Sequence, residues 1–246
     1  MEIATLIIKV LISAVICYFL SAMIHELGHI ICGLLNHWKM FLLVVGPVKL
    51  YRETLDAKVK IGIEKNISLW GGVGGTLPTY KSEDNIKIWS KILIAGPLTS
   101  IIFGFLMFPL FLLSQSIFLL MLSLMPIAMG FMCIIPMKMK TGLLYNDGTR
   151  YKRIKWGGQE EAEEKALFLL LEITLFDEDK YLYPQELIKP LLKSKDYELN
   201  YYGYYYAYQN AVKANNLEQA NAQRSNMEKI KSKVPKIIID DCRLEG

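Results

Sequence analysis

IATLIIKVLISAVICYFLSAMIHELGHIICGLL, residues 3–35, is an apolar run interrupted only by Lys9 and by a cluster of two histidines and a glutamate near its end. A hydrocarbon core about 30 Å thick needs roughly 20 apolar residues in helical form, so this stretch is long enough to cross a bilayer. It does not read as a cleaved leader. Glu2 is the first charge, no basic residues precede the run, and the run is about twice the usual length of roughly 7–15 residues.

Two more stretches qualify, at about 92–113 and 117–135. Only Ser114, Gln115 and Ser116 lie between them, which predicts a tight helical hairpin with little chain exposed on that side; Pro109 and Pro126 are expected to kink its arms. The composition agrees with three spans: 246 residues, 52% hydrophobic and 21% charged, with a mean hydropathy of +0.26, argue against a purely cytosolic protein. The net charge of +4 is too small to argue for nucleic acid. Cys17, Cys32 and Cys133 lie in apolar runs without paired spacing, so no disulfide framework is indicated.

The 28 Lys and Arg are distributed unevenly: one, Lys9, precedes the loop, nine lie from Lys39 to Lys91, and the remainder follow the third span. Basic residues favour the cytoplasmic side. The expected topology is a multi-pass protein of the cell membrane with its N-terminus outside and both the 36–91 loop and the C-terminus cytoplasmic.

The fold expected is mainly α, in two domains. Residues 1–155 form a polytopic core with a small β-rich, membrane-associated loop at about 40–80, and 156–246 form a cytoplasmic helical module. Within the loop, Val59, Ile61 and Ile63 alternate with Lys58, Lys60 and Glu64 as in a strand, and Phe41–Val45, Val48 and Leu50 suggest partner strands. Gly71, Gly72, Gly74 and Gly75 lack the spacing and following helix of a nucleotide-binding loop. They read first as a flexible hairpin turn, and otherwise as a backbone-exposed edge beside a substrate path, with Gly72 and Gly74 as candidate substrate contacts. Beyond Pro136, Gly157 and Gly158 precede an acidic first turn (Glu160, Glu161, Glu163, Glu164) and an apolar run, Leu167–Leu171, that predict a helix with a buried face. Two helices flanking Asn215 and Asn216 are arranged as in a single tetratricopeptide-like hairpin. Six tyrosines from Tyr201 to Tyr208 are expected to pack between helices, with docking of a protein partner to the tail as the alternative.

The chemistry is concentrated in His25-Glu26-Leu27-Gly28-His29. Residues four apart share a helix face, so both imidazoles can reach one Zn²⁺, leaving Glu26 beside the ion as a base. The alternative is a buried, hydrogen-bonded histidine pair; three ionisable groups within five residues of an apolar helix favour function, because such groups are costly at membrane depth. Zinc needs a third protein ligand. Cys32, almost two turns from His25, cannot converge on the same ion from one straight helix. His37 does not match the spacing of a longer metalloprotease motif, which would need Gly at 32 and His at 35 where Cys32 and Leu35 stand. The third ligand is therefore expected from elsewhere in the chain.

The sequence resembles the site-2 protease family of intramembrane zinc metalloproteases. The likeness rests on three features in order: the HELGH helix, Ala95-Gly96-Pro97-Leu98-Thr99-Ser100 at the second span, and Asn146-Asp147-Gly148 after the third. It covers roughly Ile3 to Arg153. The resemblance implies His25, His29 and Asp147 as metal ligands, Glu26 as catalytic base and Zn²⁺ as cofactor, although Asn-Asp-Gly alone is also a turn signature. Several positions depart from the family pattern. Ala95 replaces a glycine, Ser100 and Cys133 stand where the family has Asn, and Asn146 and Thr149 replace Leu and a second Gly around Asp147. Ser100 is carried as a candidate substrate contact.

The function expected is a zinc endopeptidase that hydrolyses peptide bonds in or near the bilayer, with a membrane-embedded peptide or protein as substrate. The alternatives are a non-catalytic membrane adaptor that retains a zinc site and a membrane-tethered metalloprotease acting on cytosolic proteins.

Overall fold

The computed structural model describes residues 2–137, 145–177 and 182–242. Two compact units are present, one formed by residues up to 139 with 145–151, the other from 152 onward. The connection from Lys138 to Leu144, expected on the cytoplasmic side, lies outside the described residues.

In the first unit, helix α1 (Glu2–Leu35) is apolar all round, the pattern of a helix that faces lipid or protein on every side. Its 34 residues run about 51 Å, longer than a hydrocarbon core. Helix α2 (Asn85–Ser114) starts seven residues before the expected span, because the segment from Asn85 to Lys91, though too polar for a bilayer core, still forms its first turns. Helix α3 (Ile117–Ile134) completes three helices long and apolar enough to cross a membrane. The α2–α3 link is only two residues: Gln115 adopts a left-handed conformation (φ 53°) and donates its backbone N–H to Phe111. The two helices approach so closely that a Cβ on Gly130 would lie 2.6 Å from the Pro97 carbonyl oxygen. Side chains such as Leu11, Ile12, Ile102, Leu106 and Phe131 remain exposed on the bundle, as lipid-facing residues should.

Between α1 and α2 lies an antiparallel sheet of β1 (Lys39–Val45), β2 (Val48–Tyr51), β3 (Lys60–Ile63) and β4 (Val73–Leu77), in the order β3-β2-β1-β4. The glycine cluster is divided by this sheet. Gly71 and Gly72 form a turn, whereas Gly74 and Gly75 lie within β4 and pair with Leu43 and Leu42 of β1. The segment is therefore part turn and part edge strand. Ile61 and Ile63 share an exposed face of β3.

The second unit is helical: α5 (Gly158–Asp177), α6 (Gln185–Leu192), α7 (Tyr197–Lys213), α8 (Leu217–Ile230) and α9 (Lys236–Asp241). Its core gathers Leu167, Leu170, Ile173, Ile188, Leu191, Leu199 and Tyr206. Leu171 points outward, so the buried stripe follows helical periodicity rather than the continuous apolar run. Glu163 and Glu164 do more than complement a helix dipole: both are buried, at 2.7 and 3.3 Å from the guanidinium of Arg153. Between α7 and α8, Asn215 takes a left-handed conformation and Asn216 accepts the Gln219 N–H at 3.0 Å. The tyrosines pack inward. Tyr206 meets Tyr183 edge to face at 4.7 Å, and Tyr202 donates to Asp241 at 2.9 Å. Burial, reinforced by the Asp241 charge, pushes the Tyr202 hydroxyl above its usual range.

Candidate metal centre

His25 and His29 leave α1 one turn apart, and both are buried, as is Glu26 between them. Each imidazole is held from behind by α2. The His29 Nδ1 lies 2.7 Å from the Ile92 carbonyl oxygen, which can only accept, so Nδ1 carries a proton, and in the neutral ring Nε2 is the lone pair open to a metal. His25 Nδ1 lies 3.2 Å from the Ser100 hydroxyl. This outward anchoring is the arrangement that orients metal-binding imidazoles. Gly96 is needed for it, since a Cβ there would overlap the His29 ring. The Ala95–Ser100 segment thus packs against one histidine and bonds the other. Ser100, expected as a substrate contact, is fully buried on His25.

Asp147 opens α4 (Asp147–Lys155). Its placement depends on Asn146. The Asn146 amide donates to the carbonyls of Ile135 (2.8 Å) and Met132 (3.1 Å), groups freed where α3 ends. Its carbonyl oxygen accepts the Thr149 N–H at 3.0 Å, capping α4. One side chain therefore joins the end of α3 to the start of α4. Gly148 lies directly on the Ile134 carbonyl with no room for a side chain. Arg150 stacks over Trp89 of α2 at 4.8 Å. None of this was readable from the resemblance, in which Asn146 and Thr149 were simply departures; Asn three residues before Thr, at a helix start, was the available signal.

These contacts bring Asp147 Oδ2 to 3.1 Å from His25 Nε2 and 3.5 Å from His29 Nε2, with the two Nε2 atoms 3.2 Å apart. Ligands on one tetrahedral Zn²⁺ at about 2.05 Å would stand about 3.3 Å apart. The set fits zinc in a second respect. Lone-pair atoms facing one another in a dry site repel unless a cation lies among them. A fourth group is also present: Cys133 Sγ forms a cluster with ligand atoms of His25 and Asp147, all within 4.8 Å of one another.

Glu26 faces β4. A Cβ on Gly72 would lie 2.8 Å from Glu26 Oε1, and one on Gly74 would lie 2.7 Å from Oε2. The two glycines expected at a substrate path thus stand against the glutamate of the motif, and Gly72 also needs its left-handed conformation (φ 112°).

The family model for peptidase family M50 matches residues 13–238, most of the chain. This chain belongs to peptidase family M50. That is the site-2 protease family, and membership identifies the chain as a membrane metallopeptidase of a zinc-dependent family. Comparisons with curated proteins and with solved structures gave no match. The M50 match and the three apolar helices agree on a membrane protein.

Proposed function

We propose that this M50 member is an intramembrane zinc endopeptidase, cleaving peptide bonds of a membrane-embedded peptide or protein in or near the bilayer. The observation that carries the reading is the convergence of His25 and His29, from within an apolar helix, with Asp147 at metal-ligand spacing. When bound there, zinc supplies Lewis-acid polarisation of the scissile carbonyl. Glu26 accepts the proton of the attacking water and passes it to the leaving amine. Gly72 and Gly74 pack against the Glu26 carboxylate, while Ser100 and the Ile92 carbonyl fix the two imidazoles.

A helical substrate has its amides locked in intrahelical bonds, so it must unwind before attack. β4 is an edge strand whose Gly72–Gly74 segment borders Glu26, and an extended segment added along it would lie beside the base. β3, the other candidate edge, is on the far side of the sheet. Exposed Ile61, Ile63 and Ile67, interspersed with Lys60 and Lys65, support seating of the sheet at the cytoplasmic membrane surface.

The test is cleavage of a model transmembrane peptide by the purified chain in detergent, with and without a chelator. Chelator-sensitive cleavage supports the proposal. Cleavage of soluble proteins alone would point to a membrane-tethered protease, and zinc binding without cleavage of either would point to an adaptor.

A further inference from the structure

Cys133 is the one member of the ligand cluster that neither the motif nor the proposed mechanism uses. It occupies the last turn of α3, and its Sγ shares a 4.8 Å cluster with ligand atoms of His25 and Asp147. Its position is tied to that of Asp147 by the same device: Asn146 grips Met132 and Ile135 on either side of it, and Gly148 packs against its backbone. The thiol and the carboxylate are thus presented to His25 by one locked α3–α4 junction.

Resting on the metal-centre reading above, we propose that Cys133 supplies a fourth protein ligand to the zinc and holds the centre in a closed resting state. Three protein ligands leave the fourth tetrahedral position open for chemistry, whereas four close it as in structural sites. A thiolate competes strongly for that position, because sulfur suits zinc and its bond, at about 2.3 Å, is longer than that of nitrogen or oxygen. Sulfur and nitrogen on one tetrahedral Zn²⁺ would stand about 3.5 Å apart, so the thiol, within 4.8 Å of the His25 and Asp147 ligand atoms, has to draw closer when the metal is bound. The step balances simply: the S–H bond breaks, its proton goes to water, and a Zn–S bond forms. Opening reverses it, the sulfur regaining a proton as a substrate carbonyl takes its place. Asn at this position would offer only a neutral amide; the cysteine makes the centre self-occluding until substrate arrives.

The test uses the full chain in detergent, freed of zinc and reloaded with Co²⁺ alone. The expected spectrum has a near-ultraviolet sulfur-to-cobalt charge-transfer band beside the visible bands of four-coordinate cobalt. The first band should be lost in Cys133→Ser and kept when Cys17, Cys32 and Cys242 are all replaced by serine. Visible bands without the charge-transfer band in the wild-type chain would overturn the ligand assignment while leaving the His25, His29, Asp147 centre standing. Failure to bind cobalt at all would overturn both. Should Cys133→Ser fail to fold, alkylation of Cys133 in the variant lacking the other three thiols gives the same answer. Zinc should slow the reaction about tenfold or more, since the free thiolate is the nucleophile, and His25→Ala should abolish the protection. Equal rates with and without zinc would overturn the proposal.

Discussion

Glu26 is distinguished from its histidine neighbours by what it touches. His25 and His29 turn toward Asp147, whereas Glu26 lies against Gly72 and Gly74. Gln in its place keeps the shape, but cannot take a proton from water. Glu26→Gln should therefore retain zinc by metal analysis and lose about 10²- to 10⁴-fold in cleavage rate; cleavage within threefold of wild type would remove Glu26 from the mechanism. Asp147→Ala should act differently, lowering zinc occupancy as well as activity, because two imidazoles alone leave the ion short of ligands. Full, chelator-resistant zinc in that variant would mean that another residue completes the site. The pair His25 and His29 was legible in the sequence, since spacing along one helix is a local property. The positions of Ser100 and Cys133 beside His25 were not, because each depends on how a distant helix packs against α1.

The α3–α4 junction sets the distances from Asp147 to His25 and His29. Asn146 satisfies backbone groups on both helices, and loss of a capping side chain to alanine typically costs about 0.5–2 kcal/mol. That range is small beside the stability of a folded membrane core. The expected result for Asn146→Ala is thus a folded chain with weaker zinc retention, measured as faster loss to a chelator; unchanged retention would show that Gly148 and Arg150 hold α4 without it. Gly148→Ala should be more severe, because its added methyl meets the rigid Ile134 backbone rather than a movable side chain. Circular dichroism should show helix content kept while zinc is lost; wild-type zinc content would contradict the packing. The sequence foretold three spans and a sheet, whose hydropathy and alternation are local, but misjudged two boundaries. α2 begins at Asn85 because backbone hydrogen bonds continue a helix past the point where polarity ends the span. Gly74 and Gly75 join β4 because pairing with β1 overrides their turn preference.

Across the whole chain, charge rather than packing is expected to set orientation. Lys9 is the lone basic residue before the loop, against nine from Lys39 to Lys91 and eighteen from Lys138 onward. Three crossings place those two basic regions on one side, and the bias favours the cytoplasm. The metal centre follows from this placement. His25 lies about 33 Å along α1 from Ile3, close to the full thickness of the hydrocarbon core, and so near the end of α1 that continues into the basic loop. In that orientation water would reach the centre from the cytoplasmic side without crossing the bilayer. Labelling in intact cells with a membrane-impermeant maleimide tests the orientation, in a chain with its four native cysteines replaced by serine. Ser116→Cys, in the two-residue link between α2 and α3, should react, whereas Thr54→Cys, exposed in the loop after β2, should react only after the cells are opened. The reverse pattern would invert the molecule, move His25 and Asp147 to the outer face, and require substrates to be presented from outside.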